Sequence, residues 1–341
     1  MKCVKTNAIK ILLSFLVLLI IFTLFYIVAM NEAEITNFTL PRDEGRHPSY
    51  NESWYVGFHL TAENGEVYSF IAVYGMKTES NKCYKLATFT DISNDEYVFK
   101  TYEEKPDDYH LDTQKLNITY DYFWGVDQWY QIDDNPSMYY YTGGLLDQQG
   151  EPIILNCTMH DTKGVIQMNE SFINSLITNN KENVLNYYAQ TNLKVNGTLL
   201  LNGSTRNVSG TAWIDKQWGE KLYPQRYEWF AIQLSNDYEI ATAKIHLESE
   251  IKTYALLINP DGDIMDISKD TTISTLNKTE EGFSKTWNLK SNKINLSIQA
   301  TMDRQLINRW PSILIFEGCC HVTGTFQSEW ISGNCFSEQN P

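Results

Sequence analysis

From Trp54 the chain reads in twos. Trp54, Val56, Phe58 and Leu60 alternate with Tyr55, Gly57 and His59, the period of a strand with one face buried. Ala62-Glu63-Asn64-Gly65 supplies an Asn-Gly turn and Val67 to Met76 the return, which predicts a hairpin. Alternating runs continue at Tyr84 to Thr90, Glu96 to Tyr102, Leu116 to Tyr120, Gln128 to Ile132 and Ile153 to Met159. Between Val165 and Tyr188 the apolar positions Ile166, Phe172, Ile173, Leu176, Ile177, Val184 and Leu185 drift toward helical spacing, predicting a short helix or two at a domain junction. Strands resume with Leu193 to Leu201, turn at Asn202-Gly203 and return from Thr205 to Trp213. Glu239 to Leu247, Lys252 to Ile258, Ile264 to Ile267, Phe283 to Leu289, Ile294 to Met302 and Ile313 to Thr325 complete the set. Short strands at this spacing predict an all-β sandwich or barrel. Trp54-Tyr55, Leu60 and Gly65-Glu66-Val67 echo Trp229-Phe230, Leu234 and Tyr238-Glu239-Ile240, so a duplicated β-unit is expected.

The N-terminus carries a different pattern. Ile11 to Met30 is twenty residues without a charge, enough to span about 30 Å of hydrocarbon as a helix. Fifteen of them are Leu, Ile, Val or Phe, which favours insertion by about 6 kcal/mol. Lys2, Lys5 and Lys10 precede the span and Glu32, Glu34, Asp43 and Glu44 follow it, so the lysines stay cytoplasmic and the rest crosses. A cleaved signal peptide is the alternative, but Val28-Ala29-Met30 is a poor cleavage site. Residues 31–50 read as a polar linker.

Composition narrows the partners. The net charge of −15 becomes −18 beyond the span, once its three lysines are set aside, which repels nucleic acid and anionic headgroups. Ten Asn-x-Ser/Thr sequons begin at Asn37, Asn51, Asn117, Asn156, Asn169, Asn196, Asn202, Asn207, Asn277 and Asn295, all on the exported side. Beyond the span Cys83, Cys157, Cys319, Cys320 and Cys335 make an odd count, so at least one thiol is unpaired within the chain. Either Cys335 pairs with Cys319 or Cys320 across a C-terminal hairpin, or the thiols are buried and free.

The richest stretch for chemistry is Gly210 to Leu234. Trp213, Asp215, Gln217 and Trp218 crowd a corner there, with Lys216 among them and Trp229 on the next strand. Asp215 reads either as a partly buried acid able to donate a proton or as a cap on backbone N–H groups. Trp213 and Gln217 share its face and read as ligand wall or barrel closure. Trp218 stacks on a ligand or plugs a barrel end. Lys216 and His246 face a site or solvent, and Glu317 needs a partner in its apolar strand. His59 and Tyr55 are expected in the core. No G-x-S-x-G, P-loop, H-E-x-x-H or dinucleotide fingerprint is present, and no Cys/His spacing fits zinc, so neither metal nor cofactor is expected.

Four stretches together resemble the AttH and carotenoid 1,2-hydratase group, which includes hydroxyneurosporene synthase-like and kievitone hydratase-like proteins. They are Glu52-Ser53-Trp54-Tyr55 with Gly57 and Leu60; Tyr187-Tyr188 leading to Gly210-Thr211-Ala212-Trp213-Ile214-Asp215-Lys216-Gln217-Trp218-Gly219; Trp229-Phe230 with Gln233-Leu234; and Phe316-Glu317-Gly318 with Val322, Thr323 and Gly324. Gly333, Phe336 and Glu338 are similar to the family's closing motif. The resemblance covers about residues 50–338 and implies two tandem lipocalin-like β-barrels after the N-terminal transmembrane helix, the first over 51–185 and the second over 186–341. It further implies an apolar, isoprenoid or lipid-like ligand, with Asp215, Lys216 and Trp218 as catalytic residues. Trp213, Gln217, Trp229, His246 and Glu317 would be ligand-binding. The hydratases carry a histidine where Lys216 stands and an acid on the following strand, where this chain has Thr242, Lys244 and His246. The expectation is therefore a single-pass, extracytoplasmic ligand-binding protein with hydratase or isomerase chemistry. The alternative is a non-catalytic glycosylated surface or interaction protein on the same fold.

Overall fold

The computed structural model describes residues 39–49, 51–77, 82–104, 109–122, 125–135, 137–168, 185–219, 226–247, 250–309 and 313–340. The apolar span Ile11 to Met30, residues 31–38 of the expected linker and positions 169–184 of the expected helices lie outside them. No helix among the described residues is long and apolar enough to cross a membrane.

The first sheet opens with β1 (Asn51–Ala62), β2 (Val67–Lys77), β3 (Lys82–Asp91) and β4 (Glu96–Glu104). It continues through β5 (Tyr109–Leu111), β6 (Asn117–Tyr122), β7 (Gly125–Gln131), β8 (Met138–Leu146) and β9 (Pro152–Asp161). Short β10 (Val165–Gln167) and the long β11 (Leu185–Leu201) and β12 (Ser204–Gly219) complete it. The second sheet holds β13 (Arg226–Leu234), β14 (Glu239–His246), β15 (Ile251–Ile258), β16 (Ile264–Asp266) and β17 (Thr272–Lys278). Its remaining strands are β18 (Ser284–Ser291), β19 (Ile294–Ala300), β20 (Leu306–Arg309), β21 (Ile313–Phe326) and β22 (Glu329–Asn340).

The strand order is β4-β3-β2-β1-β12-β11-β9-β8-β7-β6-β5 in one sheet and β16-β15-β14-β13-β22-β21-β19-β18-β17 in the other. The opening strand thus pairs with the closing strand in both, and β10 attaches to β11 as β20 does to β21. The expected doubling is present. Its sequence echo is out by one residue: Trp54 faces the first core while Trp229 faces the other sheet, because side chains alternate strictly along a strand. The changeover between sheets falls between Gly219 and Arg226. Residues 186–219, expected to open the second barrel, therefore belong to the first sheet.

Both sheets are curled half-barrels rather than closed barrels. Among the described residues β4 and β5 remain unpaired edges of the first, β16 and β17 of the second. Side chains span the first gap, as where the Leu146 N–H donates to the Tyr102 hydroxyl at 3.3 Å. The first lumen is filled by Phe58, Phe70, Tyr68, Tyr74, Tyr120, Trp129, Tyr139 and Tyr141, each contributing about 1.5–3 kcal/mol by burial. Lys85, fully buried, sits among Tyr74, Tyr102 and Tyr122 and pairs with Asp127. The second lumen is filled around Trp287, Phe230 and Phe316.

A third apolar layer lies between the sheets. Ile71, Ile166, Met168, Leu185, Tyr187, Ala189 and Trp213 meet Ala231, Ala241, Ala243, Ile245, Leu256 and Phe336 there. Val165 to Gln167 and Leu185 to Tyr188 are strands, not the helix expected, because alternate residues are needed to face this layer. Gly57 is a condition of the packing, since a Cβ on it would lie 2.8 Å from the Phe336 ring. Phe336 instead stacks on His59, with ring centroids 3.9 Å apart. Cross-sheet clamps join the two sheets. Gln233 donates to the carbonyls of Thr191 and Ala212 at 2.7 and 2.9 Å, and buried Lys163 pairs with Glu239.

One further expectation changes. Thr39 to Ser49 is not a free tether, since Asp43 and Glu44 are buried against the first sheet. Of the two alternatives for the cysteines, the structure has the second: all five described are buried and none forms a disulfide. Cys320 does stand opposite Cys335 on β21 and β22.

Candidate functional site

β12 decides where the chemistry goes. Its even positions, Ala212 and Ile214, enter the first core, while Trp213 enters the layer between the sheets. Alternation sends Asp215 and Gln217 the same way as Trp213, and Lys216 and Trp218 the opposite way. The expected catalytic trio is therefore divided: Asp215 belongs to one site, Lys216 and Trp218 to another.

The inter-sheet site gathers acids and phenols. Asp215, 6% exposed, accepts from the Trp213 indole N–H at 2.8 Å and from the Tyr187 hydroxyl. Trp229 packs beside Tyr187, with ring centroids 5.9 Å apart. Glu317, 5% exposed, accepts from the Tyr55 hydroxyl at 3.4 Å, and Tyr97 donates to its backbone carbonyl at 3.1 Å. Glu338 stands opposite Glu317 across β21 and β22 and accepts from the Tyr227 hydroxyl. Burial pushes the Asp215 carboxyl up to about 7, against the pull of Trp213 and Tyr187. Burial first, and then the charge of Glu338, push Glu317 well above the ordinary carboxylate range. Tyr55, Tyr187 and Tyr227 are raised too, chiefly by burial, and so keep their protons.

Lys216 lies on the inner side. Its ammonium pairs with buried Glu52 and sits 3.5 Å from the centroid of the Trp54 ring. Burial lowers it to about 7 while Glu52 opposes the fall. His47 stacks on Trp218 at 4.2 Å and its Nδ1 lies 2.8 Å from Glu52. Glu44, pushed up to about 8 by burial, accepts from Tyr139 at 2.6 Å, and its carbonyl accepts from the Trp54 indole at 2.8 Å. The nest seals one end of the lumen with the chain's own N-terminal segment. His246 lies apart from both sites, on the inner face of the second sheet, 3.5 Å from Glu228, which also pairs with Lys244 at 3.2 Å.

Of the expected residues, Trp213, Asp215, Gln217, Trp229 and Glu317 share the inter-sheet face. Lys216, Trp218 and His246 do not reach it. Sequence reasoning missed Tyr187, Tyr227 and Glu338 as site groups. The signal for Glu338 was present, because in the alternation of β22 it falls in phase with Phe336. Among the described residues no cluster of His, Cys, Asp or Glu is arranged to hold a metal ion. A cleft of about 910 Å³ opens at the margin of the same interface, walled by Val98, Tyr97 and Asp147 on one side and by Gln299, Met302 and Arg304 on the other. The three acids do not line it. Tyr97 stands between the cleft and Glu317.

Fold and site together define a doubled half-barrel protein whose ionisable groups converge where the two sheets meet. The chain belongs to the AttH-like family, whose profile matches residues 31–338. An AttH protein from Nitrosomonas europaea is similar in structure, with a TM-score of 0.76 at 15% identity, covering 90% of this chain and 98% of that one. Kievitone hydratase from Nectria haematococca gives 0.67 at 15% identity, covering 90% and 94%. The protein CghA, crystallised with Sch210972, gives 0.57 at 11% identity, covering 89% and 93%. At these identities the likeness is one of fold. Among curated proteins none matches this chain by sequence.

Proposed function

We propose that this protein binds an uncharged apolar ligand between its two sheets and carries out proton-transfer chemistry on it, of the hydratase or isomerase type. The observation that carries the reading is Asp215. A carboxyl pushed to about 7 in a dry, aromatic surround both gives and takes a proton near neutral pH. The lumina and the layer between the sheets are filled by side chains, and a space open to a ligand is the cleft beside Tyr97 at the margin of that layer. A hydratase and a small-molecule complex among the structural neighbours fit this reading. The uncharged segment Ile11 to Met30 supports anchoring in a membrane, with residues 39–341 on the extracytoplasmic side.

One observation favours a second reading, a glycosylated surface protein without catalysis. Of the ten sequon asparagines eight are described, and none is buried. Mass spectrometry of apolar compounds co-purifying with the full-length protein and with its Asp215→Asn variant separates the two. A bound compound whose identity or ratio changes in the variant supports the first. If neither form carries or alters any apolar compound, the ligand reading is wrong.

A further inference from the structure

We infer that Glu317 is the standing proton donor of the inter-sheet site, a neutral carboxylic acid kept so by the ionised Glu338 opposite it, with Asp215 as the proton acceptor. The catalytic half of this assignment rests on the function proposed above. The protonation pattern stands apart from it.

The geometry assigns unequal roles to the two glutamates. They are direct cross-strand partners on β21 and β22, which sets their Cβ atoms about 5 Å apart. Two carboxylates at that spacing in a dry site cannot both ionise freely. Glu338 holds the stronger stabiliser of a charge, the hydroxyl of buried Tyr227. Among the described residues the Glu317 carboxyl receives the long contact from Tyr55 at 3.4 Å, so the proton resides there. The groups facing Glu317 from the packed strands are Tyr55 on β1, Tyr97 on β4, Asp215 on β12, Tyr227 on β13 and Glu338 on β22. None of these is a cation, and each carboxylate among them raises its proton affinity further. Tandem symmetry sharpens the point. Glu338 has a positional twin, Asp215, in the first sheet, whereas the position matching Glu317 is Ala189. Glu317 is the acid added to an otherwise paired arrangement.

In the reaction, the Glu317 O–H bond breaks and its proton passes to a carbon of the ligand's double bond, leaving a carboxylate. Ionised Asp215 takes a proton from the attacking water in hydration, or from the neighbouring carbon in isomerisation. Solvent exchange then moves the proton from Asp215 back to Glu317, so no proton or electron is left unaccounted for.

The test is infrared spectroscopy of the full-length protein across the pH range, following the carbonyl stretch of protonated carboxyl groups. Glu44 serves as an internal reference, because it too is protonated at neutral pH. Glu317→Gln should remove one protonated-carboxyl band at neutral pH and Glu44→Gln a different one, while Asp215→Asn removes only the band that fades as pH rises through about 7. Glu338→Gln should lower the midpoint of the Glu317 band by the equivalent of tenfold or more in proton affinity. A neutral-pH spectrum unchanged by Glu317→Gln, or a Glu317 midpoint indifferent to Glu338→Gln, overturns the inference. Because the readout needs no ligand, failure of the proposed function leaves it intact, and its own failure leaves ligand binding untouched.

Discussion

Asp215 and Glu338 occupy the same position in the two halves of the molecule. Asp215 lies opposite Tyr55 on the opening strand of the first sheet, and Glu338 lies opposite Trp229 on the opening strand of the second. Their neighbours two residues earlier correspond as well, with Trp213 opposite Gly57 and Phe336 opposite Ala231. The contact between the sheets is thus built like the isologous interface of a two-fold dimer, each half offering the same strand pair. The acids converge because that symmetry brings equivalent strands face to face.

Asp215 should make stability depend on pH. Its carboxyl binds its proton more tightly folded, at about 7, than unfolded, near 4. Stability from this group is therefore complete below about 4 and is lost as pH rises toward 7. The loss is bounded at roughly 3–4 kcal/mol. Urea denaturation of wild type and Asp215→Asn should show the variant gaining relative stability across that window. A constant difference between the two would refute the assignment.

Gly57→Val should cost about 1–3 kcal/mol through overpacking, because its Cβ would meet Phe336 at 2.8 Å. Phe336→Leu in the same chain should recover part of that loss. Thermal unfolding of the two single variants and the double variant measures the coupling.

Lys216→Ala leaves Glu52 buried without its cation and should destabilise by roughly 3–5 kcal/mol. The double variant Glu52→Gln with Lys216→Met should lose far less. If Lys216→Ala instead leaves denaturation midpoints unchanged, the nest is not structural and the lysine's role must be reopened.

Exposure at Asn156, Asn196, Asn202, Asn207, Asn277 and Asn295 means that, if the body is exported, glycans can attach without unfolding it. Expression through a eukaryotic secretory pathway should give a mass that falls on enzymatic deglycosylation. No shift would count against the extracytoplasmic orientation.

The buried thiols bear on an easily checked point. Cys83, Cys157, Cys319, Cys320 and Cys335 should resist alkylation in the native protein and react once it is unfolded. Rapid native labelling of any of them would contradict the packing.

By itself the sequence determined the strands, the doubling and the inward or outward sense of most side chains, because a period of two is a local property of the backbone. It also singled out Asp215, an acid set between tryptophans, and the uncharged N-terminal segment. Alternation alone could have separated Lys216 from Asp215, had the family pattern not grouped them. Only the tertiary structure decided that Leu185 to Gly219 completes the first sheet, that Thr39 to Ser49 seals a lumen, and that Glu317, Glu338 and Asp215 meet. Those outcomes depend on which strands pair and which faces cover each other. The decisive ones join distant residues, as where Tyr55 lies opposite Asp215 and Lys216 pairs with Glu52, and no local pattern records them.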